Sequence, residues 1–384
     1  MYKLSFMFCM LTLAFCVHAQ PNNTRLNSPE ILSDNSVILR IKAPDASDVK
    51  VVGTFGKDFK PVPMVRNDSG VYEVKLGPLP SDMYEYRFVL DGVPILDPNN
   101  NAVTRDGIYV ESRLLIPGQL GDLLAVQDVP HGKVTAVWYS SPTLGVQRRM
   151  HVYTPPAYDE GKQKYPVMYL LHGGGGDEEG WISRGRANYI LDNLIASKQA
   201  VPMIVVITNG NPEAVAAPLD RPAKASKDTP GIGSMASLRF EQSLVKDVVP
   251  YIEKNYRVIA DADHRAVTGF SMGGYQTQNI TNNNPGMFNY IGVMSMGLFS
   301  SFRNNTAGYD KEKHVAQLKA LIASKPKYYW IGIGKDDFLY ETVTKLRALY
   351  DEVGLKYIYR ETEGRHTWVE WRLYLTEFAP KCFK

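Results

Sequence analysis

From residue 131 onward, short unbroken apolar runs alternate with longer amphipathic stretches, and few architectures accept that alternation. "PVMYLLHG", "MIVVITNG", "HRAVTGFS", "YIGVMSMG", "KYYWIGIG" and "KYIYRETEG" are strand-length segments with almost no polar face. Such runs fit parallel strands covered by helices on both sides. Between them lie "ANYILDNLIAS", "FEQSLVKDVVPYIEKNY", "HVAQLKALIAS" and "ETVTKLRALYDEVG". In the second of these, Phe240, Leu244, Val248 and Ile252 recur every four residues and mark one helical stripe. Pro250 in the same stretch predicts a kink, because proline cannot supply the N–H that the helix needs there. Residues 131–384 therefore read as one α/β domain with a layered sheet.

The front of the chain has a different texture. "SVILRIKAP", "VKVVGTF", "VYEVKLGPL", "MYEYRFVLDG" and "IYVESRLLIPG" are short β-like runs separated by turn formers such as Asn-Asp-Ser-Gly and Asp-Gly. Residues 20–115 thus read as an all-β sandwich of immunoglobulin-like size, and 116–130 as a linker. Residues 1–19, with Lys3, an apolar run and Ala19, read as a secretory signal peptide. The protein is accordingly expected to be secreted or periplasmic. Lipid anchoring through Cys16 is disfavoured by the bulky Phe15 before it. No later stretch is apolar enough for a membrane span. Removing the leader takes Cys9 and Cys16, which leaves Cys382 without a disulfide partner. With 43 Lys and Arg against 40 Asp and Glu, no charge excess draws the chain to nucleic acid.

The chemistry concentrates in "HRAVTGFSMGGYQTQNI", where a strand runs through Gly269-x-Ser271-x-Gly273 into a helix-compatible stretch. That is the context of a nucleophile elbow, which lifts a serine hydroxyl above the strand ends. A serine needs a base, and the base needs an acid to orient it. Beyond Ser271 only His314 and His366 are available; His314 sits among polar helix residues, whereas His366 follows the last apolar run in "ETEGRHTWVEW". His366 is the candidate base. Asp337 is the first candidate for the acid and Asp336 the alternative, both directly after the run ending at Gly334. An oxyanion hole needs two backbone N–H groups. Met272 supplies one by position, and the loop His172–Gly176 the other, with Gly174 first and Gly175 in reserve. Trp181 and Trp368 flank the glycine loop and the candidate base and are candidate substrate-binding residues, core packing being the competing role. No residue group has metal-ligand spacing and no dinucleotide fingerprint is present, so no metal or other cofactor is expected.

With these motifs in order, the region from about 131 to the end resembles carbohydrate esterase family 1, the feruloyl and acetylxylan esterases. "RRMHVYTPPAYDE", "YPVMYLLHGGGGDEEGW", "TGFSMGGYQT" and "GRHTWVEWR" carry the likeness. The resemblance implies an α/β-hydrolase fold and serine ester chemistry, with Ser271 as nucleophile, His366 as base and Asp337 as acid. Its implied substrate is feruloylated or acetylated xylan, and the wider group includes siderophore esterases of the enterochelin type. The front domain resembles a family 48 carbohydrate-binding module, an early-set sandwich. It has no Trp before Trp138, and Tyr84, Tyr86 and Phe88 alternate along one strand as a sandwich core requires. It is expected to bind glycan weakly or to shape one wall of the esterase site. The segment 211–237, rich in Pro, Ala and Ser, reads as either a surface insertion or a flap over that site.

Overall fold

The computed structural model describes residues 25–56, 58–218, 238–300 and 309–384. The leader at 1–19 and most of the 211–237 segment lie outside these residues.

In the front domain the strands Glu30–Ile31, Val37–Lys42, Val71–Leu76 and Val65–Arg66 form one antiparallel sheet. Val62–Pro63, Val49–Gly53, Met83–Leu90, Tyr109–Leu115 and Val103–Asp106 form the second, with Val93–Ile95 paired to Met83–Leu90. Alternate residues face inward, so Leu39, Ile41, Val51, Tyr84, Tyr86 and Phe88 make the core between the sheets. At the start of Met83–Leu90 the opposite face is covered as well. Met83 joins a core cluster of the second domain and Glu85 is buried against it. A sandwich strand buried on both faces over its first residues means that the two domains are docked there.

The second domain is built on an eight-stranded sheet. Its strands run Lys133–Ser141, Val146–Thr154, Ile204–Thr208, Val167–Leu171, Arg265–Phe270, Tyr290–Met294, Tyr328–Gly334 and Ile358–Thr362. The first two strands pair antiparallel, Val146–Thr154 is antiparallel to Ile204–Thr208, and every later pairing is parallel. Apolar clusters cover both faces. Ala187–Ala196 and Trp368–Phe378 pack on one, and the stripe of Phe240, Leu244, Val248 and Ile252 on the other. The chain is thus an all-β domain followed by an α/β-hydrolase domain. The kink expected at Pro250 takes the form of a π-turn, Leu244–Val248, between the helical pieces Arg239–Ser243 and Val249–Asn255. The ring has no N–H to give the carbonyl four residues back, and the wider turn precedes it.

The segment between the domains is anchored. It contains the short helix Gln119–Leu124, whose end is held by Asn193 Nδ2 donating to the carbonyls of Asp122, Leu123 and Ala125.

Strand register decides what meets at the C-terminal edge of the sheet. Leu171 lies opposite Gly269, which sets the glycine loop beside Ser271. Gly334 lies opposite Thr362, so the loops carrying Asp337 and His366 emerge side by side. Open α/β sheets bind ligands at this edge.

Candidate active site

Ser271 sits between the strand Arg265–Phe270 and the helix Met272–Asn283 with φ 53° and ψ −118°. A non-glycine residue at positive φ is uncommon and marks a locally imposed turn. Its N–H donates to Met294 O at 2.9 Å, tying the turn to the neighbouring strand. The flanking glycines are needed for space. A Cβ on Gly273 would lie 2.7 Å from the carbonyl oxygens of Leu171 and His172, and one on Gly269 would lie 2.7 Å from the Gly273 carbonyl carbon. The helix therefore starts pressed against the base of the glycine loop.

His366 turns Nδ1 toward Asp337, 2.8 Å from Oδ2 and 3.0 Å from Oδ1. Asp337 is 4% exposed and its Oδ1 also accepts the Leu339 N–H at 2.8 Å. Asp336 is exposed to solvent. Of the two candidates, then, Asp337 is the carboxylate on His366. It holds the proton on Nδ1 and leaves the Nε2 lone pair outward. The Phe338 ring lies against the imidazole, with centroids 4.4 Å apart.

Ser271, His366, Gly173, Gly174 and Gly175 share a cavity of about 300 Å³. Met272 opens the helix, so its N–H has no carbonyl of its own helix to meet. Gly174 lies close by, since a Cβ there would stand 4.0 Å from Met272 Cβ. Gly175 has φ 81°. His172 belongs to the frame of this loop. Its Nε2 accepts the Gly210 N–H at 2.7 Å, and its Nδ1 donates to Gly173 O at 2.8 Å.

Of the two roles expected for Trp181 and Trp368, each takes a different one. Trp368 lines the cavity with Phe270 and Trp371, but Trp181 does not. Trp181 is fully buried, its Nε1 donating to Leu171 O at 3.0 Å and its ring packed edge-on against Trp368 and Phe270. It follows the glycine loop in sequence, yet the helix Gly180–Ser183 turns it under the wall. It is a core residue that backs Trp368. Trp371, not singled out in sequence, stacks on Phe270 at 3.8 Å and meets His366 edge-on.

Sequence reasoning also missed Thr54, Phe59, Glu85, Asp106 and Tyr109, front-domain residues that line the same cavity. Glu85 forms a two-pronged pair with Arg184 at 2.7 and 2.6 Å. Asp106 is buried, which raises its carboxyl pKa against the lowering effect of the Trp368 N–H. The Asp-Gly at 106–107 was legible only as a turn.

The other candidates stand elsewhere. His314 is half-buried between Tyr309 and Asn282, and burial pushes its pKa down. Cys382 is fully buried and burial pushes its thiol up. Among the described residues, no cluster of three or more His, Cys, Asp or Glu side chains is set to hold a metal ion, and no helix is long and apolar enough to cross a membrane.

A sharp strand-to-helix serine, a carboxylate-bound histidine and a glycine loop on one edge of a mixed sheet define the class as an α/β-hydrolase. The chain belongs to the esterase family described as "Putative esterase", matched over residues 141–382. Residues 27–101 match carbohydrate-binding module 48, the isoamylase N-terminal domain. An endo-1,4-beta-xylanase/feruloyl esterase of Xylanibacter ruminicola is 31% identical over 93% of the chain, and the chain spans 46% of that protein's length. The structure of a CE1 ferulic acid esterase from Anaeromyces mucronatus is similar at TM-score 0.58 and 20% identity, covering 68% of this chain and 95% of that one. The enterobactin esterase of Shigella flexneri is similar in fold at TM-score 0.65 and 18% identity, covering 90% of this chain and 92% of its own.

Proposed function

We propose that the protein is a secreted serine esterase that releases ferulate or a related hydroxycinnamate from plant arabinoxylan. The observation that carries this reading is the cavity itself, in which Ser271 and His366 open onto a space of about 300 Å³ walled by Phe270, Trp368 and Trp371. An acetyl group leaves most of such a pocket unfilled, whereas an aryl acyl group gains from the aromatic faces. The description of the X. ruminicola relative supports the same acyl and glycan classes. The leader-like residues 1–19 support export.

In this mechanism Ser271 Oγ attacks the ester carbonyl while His366 Nε2 takes its proton. Asp337 stabilises the imidazolium that results. The N–H groups of Met272 and Gly174 receive the developing oxyanion. His366 returns the proton to the departing sugar hydroxyl, and water then releases the acid from the acyl-enzyme by the same route.

Incubation with native arabinoxylan, with ferulate and acetate measured in parallel, and separately with a cyclic catecholate triester, tests the reading. Ferulate is expected to dominate. Acetate release with little ferulate would instead make the protein an acetylxylan esterase, and hydrolysis confined to a cyclic catecholate triester would make it a siderophore esterase.

A further inference from the structure

Of the front-domain segments that line the cavity, the turn at 106–107 touches both the glycine loop and the segment that carries His366. Asp106 ends the strand Val103–Asp106 and Gly107 follows at φ 59°. Asp106 Oδ2 accepts from Trp368 Nε1 at 2.9 Å, on the segment that carries His366. Its other oxygen, Oδ1, is buried with no hydrogen-bond partner. It lies against the Cα atoms of the glycine loop and the following helix, where a Cβ on Gly176 or Gly180 would come within 2.5 and 2.6 Å of it. Gly107 is seated on the Gly175 carbonyl, and any side chain there would overlap that oxygen.

The residue before the turn is held by an ion pair and a hydrogen bond, and a second ion pair joins the same two domains beside it. Arg105 grips Asp177 with Nη1 at 3.2 Å and Nη2 at 2.5 Å, and the Arg105 N–H donates to Ser183 Oγ at 2.8 Å. Arg184 is bound by Glu85. Asp177 follows the glycine loop directly, and Ser183 and Arg184 stand at the end of the short helix after it. The loop therefore has a second support besides its own sheet.

We propose that the Asp106–Gly107 turn positions the glycine loop opposite Ser271, making the front domain a working part of the esterase site and not only a glycan-binding attachment. The inference rests on the functional reading above, since it assigns that loop to the oxyanion. Asp106 and Gly107 are positioning residues acting through Gly174 to Gly176 and Trp368. A loop freed from the turn still admits substrate. What it loses is alignment with the charge that appears only in the transition state.

The test uses the full chain with Asp106→Ala, Asp106→Asn and Gly107→Ala, assayed on methyl ferulate and p-nitrophenyl acetate, with phenylboronic acid as a tetrahedral-adduct probe. Asp106→Ala and Gly107→Ala are expected to lower kcat by on the order of tenfold to a hundredfold on both esters and to weaken phenylboronate comparably. KM is expected to stay within about twofold, the mark of an interaction made in the transition state. Asp106→Asn is expected to restore most of kcat, because an amide oxygen still accepts from Trp368. If Asp106→Ala does not fold, Gly107→Ala and Asp106→Asn carry the comparison. An active parent whose folded variants keep kcat and phenylboronate affinity would overturn this inference and leave the esterase reading standing. A parent inactive on every ester would overturn both.

Discussion

At the scale of single residues, neighbours of identical type are separated by where the backbone sends them. Asp336 and Asp337 are adjacent, and only Asp337 is turned inward to accept from Leu339 N–H and His366. Replacing Asp337 by Asn removes the negative charge that holds the His366 tautomer. That substitution is expected to lower kcat by about 10³- to 10⁴-fold. Asp336→Asn should stay near the parent, and steady-state kinetics on methyl ferulate compares the two. Equal losses for both variants would contradict the assignment. The sequence narrowed the acid to this pair by chain order and the strand ending at Gly334. It did not separate them, because the direction of each carboxylate depends on the turn that opens Tyr340–Val353.

At the scale of elements, the strand-to-helix serine was legible because strand, glycines and helix are contiguous. Both Gly269 and Gly273 answer to close backbone packing, which their spacing around Ser271 announces. Trp181 was not legible in the same way. Its nearness to the glycine loop in sequence says nothing about which side of the loop its ring occupies. Packing between helices adds a feature that no motif displays. Glu241, on Arg239–Ser243, is buried against the elbow helix with Asn279 Nδ2 donating to it at 3.2 Å, and burial pushes its pKa up to about 6 from 4.5. A carboxyl whose folded pKa is raised costs stability once it must ionise. The cost is absent below about pH 4.5, grows through the interval and is complete above about 6, where it reaches about 2 kcal/mol. Glu241→Gln is therefore expected to stabilise the fold at pH 8 and to change little at pH 4. Urea unfolding at the two pH values measures this, and an equal gain at both would contradict it.

At the scale of the whole molecule, the two domains share a buried contact that was not readable from either alone. Arg372, 1% exposed, donates to Met83 O at 2.7 Å across the interface and faces Asp82 at 3.5 Å. Burial raises the Asp82 carboxyl and Arg372 opposes it. Removing Arg372 leaves a buried carboxylate without its counter-charge. Arg372→Ala is expected to cost about 3 to 5 kcal/mol in thermal unfolding, with the two domains still melting as one transition. Separate melting of the front domain would contradict the docking. The alternation that marked Tyr84, Tyr86 and Phe88 as sandwich core was readable in sequence. That Met83 and Glu85 on the other face are covered by the second domain was not, because their partners Arg184 and Arg372 lie far along the chain.

All three scales meet at Ser271, and its replacement by Ala is the most direct measurement. Purified parent protein is expected to hydrolyse methyl ferulate while Ser271→Ala, equally folded, loses on the order of 10⁶-fold in kcat, as removal of a triad nucleophile does. Hydrolysis by Ser271→Ala at the parent's rate would contradict the mechanism outright.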